Sequence, residues 1–192
     1  MKAKWCIAGR RLRGTAAAPA IGGASRLLVV LALAASIVSG HLVAQEEVGI
    51  KRGAEAPTIV IEDLDGNEVD LSDVIGSKPV LLEFWATWCE NCKALEPSLE
   101  RAFRMYGQQV EFISVAVGVG QSQRSVRRYL EQHPVRHRVL FDKNGDAVRA
   151  YSAPTTSYVV VVNGVGQVAY TGVGRDQDLE AAVRHVLETE GS

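Results

Sequence analysis

The sequence predicts an α/β domain in which a mixed β-sheet carries helices on both faces. Three observations lead to this fold class. Apolar strand-like runs alternate with helix-like segments along residues 79–142, as in proteins with parallel sheets. Hairpin turn signals lie on either side of that stretch, at Asp65-Gly66 and at Asn163-Gly164. An amphipathic segment then closes the chain, so parallel and antiparallel strand pairs are both expected.

Residues 1–44 are predicted to be a removable export signal. They contain six of the 21 basic residues and no acidic residue, and the apolar run 27–38 follows their basic start. This layout is typical of a secretory signal, with cleavage expected after Ala44. A membrane span needs about 20 apolar residues, and polar residues from Ser36 onward interrupt the run. An uncleaved membrane tether through residues 27–44 is the alternative.

The rest of the chain is predicted to be an exported, periplasmic or otherwise extracytoplasmic protein. It holds 15 basic and 22 acidic residues, which makes a net charge of −7. An acidic surface without clusters of Lys and Arg argues against a nucleic-acid-binding protein. Disulfides persist in exported proteins, but scaffolds that depend on them usually carry more than the two cysteines present here, Cys89 and Cys92.

The first elements of the domain follow a short lead-in. Residues 45–56 are polar and without periodicity, which predicts a flexible linker before a domain that spans residues 57–192. Two strand-like runs within residues 57–71 surround the Asp65-Gly66 turn and predict a β-hairpin. The continuous apolar run PVLLEFWA, residues 79–86, is too short for a lone helix and predicts a buried strand.

Helices and strands alternate over the remaining chain. From Glu90 to Tyr106 the apolar residues share one helix face, with Pro97 placed to kink the helix. Asp176 or Asp178 can cap the last helix. The elements after the first helix are predicted in this order: a strand over 110–118, a helix over 122–133, a strand over 137–142, a hairpin of strands 157–162 and 166–170, and a helix over 175–190.

The Cys89-Glu-Asn-Cys92 motif stands between the predicted buried strand and the first helix. Covalent haem attachment needs a histidine after the second cysteine, where this chain has Lys93. A zinc site would require His133 and His137, but 40 residues separate Cys92 from His133, whereas zinc fingers have about 12–15. A structural disulfide that closes so short a loop gains little from chain entropy. No metal and no cofactor are therefore expected.

A redox-active pair fits the motif better. At the first turn of a helix, free backbone N–H groups and the helix dipole stabilise a thiolate. Cys89 lies at the predicted helix entry, and Cys92 lies one turn deeper. A CxxC motif beside a βαβ pattern is typical of thioredoxin-like redox proteins.

The segment VLLEFWATWCENCKALEP resembles the active-site segment of the thioredoxin superfamily. The similarity to its exported TlpA/ResA-like branch extends over residues 53–188. GAEAPTIVIEDLDGNEVDLSDVIGSKPVLLEFWATWC resembles the lead-in and N-terminal hairpin of that branch, and SAPTTSYVVVVNG resembles its Pro-Thr-Thr loop and next strand. The resemblance implies a thioredoxin-like three-layer α/β/α sandwich with a mixed central sheet and an N-terminal β-hairpin extension.

The resemblance also implies roles for the two cysteines and one acid. Cys89 would be the exposed attacking thiolate, and the more buried Cys92 would resolve the mixed disulfide. Glu83 stands six residues before Cys89, where the family has a buried acid. As the only charge in VLLEFWATW it should have a raised pKa, which makes it a candidate proton shuttle for Cys92. Alternatively, it points into solvent or pairs with Lys93.

A substrate groove is implied around the second matched loop. Pro154 corresponds to the family's cis-proline, so the bond between Ala153 and Pro154 is expected to be cis, with the Ala153 backbone free to pair with a substrate strand. Thr155 belongs to the same loop, and Trp88 is expected to contribute to the contact surface. Ser152 stands where family members have glycine.

The two residues between the cysteines are expected to tune the redox chemistry. Glu90 opposes a neighbouring thiolate, which should raise the pKa of Cys89 and make the pair more reducing. Asn91 occupies a position where many relatives have proline.

Together these features predict an exported thiol:disulfide oxidoreductase. It would take electrons from a membrane thiol donor and reduce disulfide-bearing or dithiol client proteins, such as an apocytochrome c during cytochrome c maturation. Two alternatives stay open: a disulfide-forming oxidant, and a non-catalytic thioredoxin-fold module that binds a partner peptide.

Overall fold

A seven-stranded mixed sheet forms the centre of the computed structural model, which describes residues 48–190. Its strands are Val60–Asp63 (β1), Glu68–Asp70 (β2), Val80–Trp85 (β3), Glu111–Val117 (β4), Arg138–Asp142 (β5), Tyr158–Val162 (β6) and Val168–Val173 (β7). The helices of this part of the chain are Glu90–Tyr106 (α1), Gln123–Gln132 (α2), Asp146–Ala150 (α3) and Leu179–Glu190 (α4), with a short 3-10 helix at Leu71–Asp73.

The strand order across the sheet is β2-β1-β5-β4-β3-β6-β7. Strands β3, β4 and β5 are parallel neighbours, β6 and β7 continue antiparallel from β3, and the β1–β2 hairpin joins the other side through β5. The steps from β3 to β4 and from β4 to β5 run in the same direction. Because such crossovers are right-handed, α1 and α2 lie on the same face of the sheet.

The core lies on both faces of β3 and its neighbours, because every residue of β3 is buried. On one face, Leu81 and its neighbours on β4 and β6 pack against α1 and α4. On the other face, Leu82 and Phe84 pack in one cluster with Ala147 of α3 and Leu71 of the 3-10 helix. The predicted three-layer α/β/α sandwich with a mixed sheet and an N-terminal hairpin is therefore confirmed, with a thin second helical layer.

Local signals located most of the elements. Both predicted hairpins form, and of the two candidate caps for α4 it is Asp178 whose carboxylate accepts the Ala181 N–H, at 3.0 Å. The sequence pattern did not predict α3 or the 3-10 helix, which have five and three residues. Elements this short contain too few turns to show an apolar period.

The lead-in is attached to the sheet over its described part. The Gly53 N–H donates to the Val168 carbonyl at 2.7 Å, and the Ala56 N–H donates to the Gly166 carbonyl at 2.8 Å. The Ile50 N–H donates to the Tyr158 hydroxyl at 3.0 Å. The expectation of a flexible linker is wrong for residues 48–56. This polar segment has no apolar periodicity, but backbone hydrogen bonds attach it to the sheet.

The predicted export signal, residues 1–44, and the alternative tether, residues 27–44, lie outside the described residues. Within residues 48–190, none of the helices has the length and apolar character that crossing a membrane requires.

The attachment of the lead-in can be tested at Gly49. Gly49 has φ +80°, and a Cβ there would overlap the Tyr158 hydroxyl. Gly49→Ala is expected to lower the free energy of unfolding by about 1–3 kcal/mol through this overlap and to speed amide exchange at Ile50. Gly53→Ala is the matched control, because Gly53 has φ +81° with nothing near its Cβ position. Equal stability of the two variants in urea unfolding would contradict the described packing.

Candidate active site

The two cysteines lie at the junction of β3 and α1. Cys89 is the N-cap residue of α1, and its sulfur accepts the Cys92 N–H at 3.0 Å. The sulfur thus occupies the place that a serine or aspartate oxygen takes at other helix starts, where the helix dipole favours negative charge. The pair forms a disulfide with its Cα atoms 5.3 Å apart. The predicted position of the pair at a helix entry is confirmed.

The predicted contrast in exposure between the cysteines is wrong for this oxidised form. Cys89 and Cys92 are both only 5% exposed. The sulfur of Cys89 is bonded to Cys92 and hydrogen-bonded to the first turn of α1, which holds it against the protein. The two cysteines differ in their contact with a cavity under α1: Cys92 lines this cavity, whereas Cys89 does not.

This space, which we call the α1 cavity, has a volume of about 310 Å³. Glu83, Ser114 and Val139 form its floor; they are register partners on β3, β4 and β5 and therefore share one sheet face. Side chains of α1 and α2 form the walls, together with residues 134–137. The cavity thus joins Cys92 to a polar floor in the middle of the sheet.

Glu83 is buried on this floor, as predicted. Its carboxylate accepts a hydrogen bond from the Ser114 hydroxyl at 2.8 Å. Burial raises the pKa of Glu83 to about 7; the Ser114 hydrogen bond opposes the rise, and the nearby charge of Glu96 adds to it. The alternative ion pair between Glu83 and Lys93 does not form, because the Lys93 ammonium pairs with Glu90 at 2.7 Å.

Ser114 and His137 complete the polar floor, and the sequence analysis missed both roles. The Ser114 oxygen lies 2.8 Å from the carboxylate of Glu83 and 2.8 Å from Nε2 of His137. Burial lowers the pKa of His137 to about 4. A serine within the apolar run VEFISVAVG was a usable signal for Ser114. His137 had been considered only as a zinc ligand, and nothing local pointed to its contact with a serine on another strand.

The residues between the cysteines contact two cations. Glu90 pairs with Lys93, whose hydrogen bond lowers the pKa of the Glu90 carboxyl, and the charge of Arg175 acts in the same direction. Asn91 accepts a hydrogen bond from Nε of Arg175 at 3.0 Å. Arg175 is a further residue that the sequence analysis missed. Lys93 and Arg175 offset the negative charge of Glu90 that was expected to oppose a thiolate.

The loop around Pro154 differs from the expectation. The bond between Ala153 and Pro154 is trans, so the predicted cis-proline is wrong; trans is the isomer that X-Pro bonds favour by about 0.5–1 kcal/mol. The Ala153 N–H donates to the Val148 carbonyl at 2.9 Å and is not free for a substrate strand. Ser152 has φ +49°, a left-handed conformation that explains why glycine suits this position.

The remaining predicted contact residues lie at the surface. Pro154 and Thr155 are exposed, and Ala153 packs against the apolar cluster that contains both cysteines. Trp88 is 49% exposed, and its indole N–H donates to the Val119 carbonyl at 2.9 Å. Exposed apolar surface thus continues from the active-site turn onto the loop after β4.

Comparisons with known proteins agree with this arrangement. The family model described as Redoxin matches residues 51–187. The thiol-disulfide oxidoreductase ResA of Bacillus subtilis is 32% identical over 148 residues, which cover 77% of this chain and 80% of ResA. ResA of Geobacillus kaustophilus is 33% identical over 139 residues, covering 70% of this chain and 78% of the relative.

Solved structures show the same fold. A putative thiol:disulfide interchange protein DsbE from Chlorobium tepidum matches with a TM-score of 0.63 and 23% identity, covering 73% of this chain and 97% of that one. StoA from Bacillus subtilis matches with a TM-score of 0.56 and 17% identity, covering 67% and 96%.

Burial of the Glu83 carboxyl predicts a pH-dependent stability. The folded protein keeps the Glu83 proton up to about pH 7, whereas an unfolded chain releases it near 4.5. Stability from this group therefore falls as the pH rises through that interval, by about 3 kcal/mol in total. The contribution of His137 to the pH dependence of stability is opposite. Because its pKa is lowered from 6.5 to about 4, His137 destabilises the fold as the pH falls through that interval.

Glu83→Gln removes the pH dependence of stability that comes from Glu83 and leaves the pH dependence that comes from His137. We expect the free energy of unfolding of the variant, relative to the parent, to rise by about 3 kcal/mol between pH 4.5 and about pH 7. Urea unfolding of the oxidised proteins at several pH values measures this difference. Glu131→Gln, at an exposed site on α2, is the matched control. A difference that stays constant with pH would contradict the buried position of the carboxyl.

Proposed function

Because the chain belongs to the Redoxin family and is a TlpA/ResA-like thiol:disulfide oxidoreductase of the thioredoxin superfamily, we propose that it reduces protein disulfides outside the cytoplasm. The observation that carries this proposal is the Cys89–Cys92 disulfide at the start of α1, whose Cys92 lines the same cavity as the buried carboxyl of Glu83. The extracytoplasmic location is supported by the basic start and apolar run of residues 1–44.

The first step uses the reduced pair. With the disulfide opened, the N–H groups and dipole at the start of α1 stabilise the thiolate of Cys89. This thiolate attacks one sulfur of a client disulfide. A bond forms between Cys89 and that sulfur, the client disulfide breaks, and the second client sulfur leaves as a thiolate.

The second step releases the client. The Glu83 carboxylate takes the proton of the Cys92 thiol, and the Cys92 thiolate attacks the sulfur of Cys89. The mixed disulfide breaks, the client leaves as a second thiolate, and the Cys89–Cys92 disulfide forms. Two electrons pass to the client, whose two thiolates take up two protons. A thiol donor at the membrane then restores the reduced pair by the reverse sequence.

Client binding is proposed on the exposed surface around the pair. Trp88 presents about half of its surface beside Cys89, and Val119, whose carbonyl receives the Trp88 N–H, is also largely exposed. Pro154 and Thr155 offer further exposed surface on the matched loop. Such a surface suits an extended, unfolded segment, and an apocytochrome c with its haem-binding cysteines in a disulfide is the client class that we propose.

A disulfide-forming oxidant is the second candidate, and a specific observation favours it. Lys93 and Arg175 place positive charge beside the motif, and cations that stabilise the Cys89 thiolate make a pair more oxidising. Glu90 acts in the opposite sense. The balance among these exposed charges shifts the reduction potential of the pair.

The reduction potential distinguishes the two candidates. We expect a value close to that of thioredoxin, about −270 mV, and far from that of the strong oxidant DsbA, about −120 mV. Equilibration in thiol/disulfide buffers, followed by quantification of free thiols, measures it. A value near the DsbA end would overturn the proposed reductant and favour the oxidant.

The cysteine roles predict two distinct variants. Cys89→Ser is expected to abolish the reduction of insulin disulfides, because the attacking sulfur is gone. Cys92→Ala is expected to form mixed disulfides through Cys89 that persist, because nothing resolves them, and mass spectrometry of these adducts identifies the clients. Adducts that form equally well on Cys89→Ser would contradict the assignment of the attacking cysteine.

A further inference from the structure

The thiol exchange described above leaves one hydrogen-bonded row unexplained. Glu83, Ser114 and His137 are joined through the Ser114 oxygen, with 2.8 Å to the Glu83 carboxylate and 2.8 Å to Nε2 of His137. Glu83 and Ser114 are buried, whereas His137 is half-buried. The row therefore runs from the floor beneath Cys92 toward the surface.

His137 lies where two depressions meet. It lines the α1 cavity, and it also lines a shallower groove beside the turn of the β1–β2 hairpin, which includes Asp63 and Asp65. The ring of Phe103, on α1, lies 5.8 Å from the imidazole, centroid to centroid, and is tilted by 57° to it. The imidazole is thus a link between the enclosed floor and the hairpin groove.

Charged and titratable groups approach the row from each neighbouring element. The groups from α1 and α2 that line the α1 cavity with Glu83 are Lys93, Glu96, Glu100 and Tyr129. Arg136 lines the same cavity beside His137. Asp63 and Asp65 line the hairpin groove with His137. Ser114 alone among these side chains hydrogen-bonds both Glu83 and His137.

We propose that Ser114 and His137 form a proton relay that connects Glu83 with solvent at the hairpin groove. This inference rests on the proposed function, in which Glu83 takes the proton of Cys92. A client joined to Cys89 covers the exposed surface around the start of α1, whereas His137 lies at the groove beside the hairpin. The relay lets the proton leave while the client is still attached.

Each step of the relay moves one proton. Glu83 passes its carboxyl proton to the Ser114 oxygen, while the hydroxyl proton of Ser114 passes to Nε2 of His137. The imidazole then releases its Nδ1 proton to water, so Ser114 and His137 each end with as many protons as they began with. The return direction reverses these transfers. Ser114 and His137 act through Glu83 and are positioning residues.

The experiment isolates the step in which Cys92 acts. An aromatic disulfide whose thiolate product absorbs visible light reacts with the reduced protein in two phases, and the second, unimolecular phase reports the attack of Cys92 on Cys89. We expect His137→Ala to slow this second phase about tenfold, a modest fraction of what proton transfer contributes. His185→Ala, at an exposed site on α4, is the matched control and keeps the parent rate.

Rescue by added imidazoles separates a relay from a structural contribution. The second phase of His137→Ala is expected to recover with added imidazoles, and the recovered rate should follow their pKa. Ser114→Ala is expected to be equally slow and not to recover, because the connection to Glu83 is missing. If His137→Ala unfolds too easily, His137→Gln replaces it, since Gln keeps an N–H donor to Ser114 but passes no proton.

The outcomes distinguish this inference from the proposed function. A slow second phase in Glu83→Gln with a normal rate in His137→Ala would overturn the relay and leave the proposed role of Glu83 intact. A slow His137→Ala variant that no imidazole rescues would also overturn the relay. A normal second phase in Glu83→Gln would overturn the role of Glu83 and the relay with it.

Discussion

The hydrogen bond from the Cys92 N–H to the Cys89 sulfur is the interaction on which the site depends. It places a sulfur at the end of α1, where unpaired N–H groups and the helix dipole favour a negative charge. That position exists because β3, held between β4 and β6, delivers the chain to the start of the helix at a fixed point. The same strand carries Glu83, which lines the α1 cavity together with Cys92. One buried strand thus positions both the start of α1, where Cys89 lies, and the buried carboxyl of Glu83.

Desolvation sets the proton chemistry of the floor. The same cause raises the pKa of Glu83 and lowers the pKa of His137, because burial disfavours the charged form of either group. The usual order of the pKa values of a carboxyl and an imidazole is thereby reversed, so between about pH 4 and about pH 7 the carboxyl is protonated while the imidazole is neutral and keeps a single N–H. Ser114, which can donate to one neighbour and accept from the other, couples the two groups.

At the surface around the two cysteines, solvent-exposed charges act instead of desolvation. Glu90, Lys93, Asn91 and Arg175 meet in solvent, where ion pairs are weak and screened by salt. These groups adjust the stability of a Cys89 thiolate only modestly, whereas in the proposed mechanism the buried Glu83 carboxylate takes the proton of Cys92. In the proposed mechanism the exposed charges act on Cys89 and the buried floor acts on Cys92, so separate parts of the site influence the two sulfurs.

The sequence by itself determined the order of the seven strands and the three longer helices, both hairpins, the position of Cys89 at a helix start and the burial of Glu83. Each of these follows from neighbours along the chain: turn chemistry, apolar periodicity, and an acid within an apolar strand. Only the tertiary structure decided the equal burial of the cysteines, the attached lead-in, the trans bond before Pro154 and the partners of the active-site residues. Ser114 is 31 residues from Glu83 in the chain, and Arg175 is 84 residues from Asn91. Contacts at such separations depend on how the sheet assembles, and no local pattern encodes them.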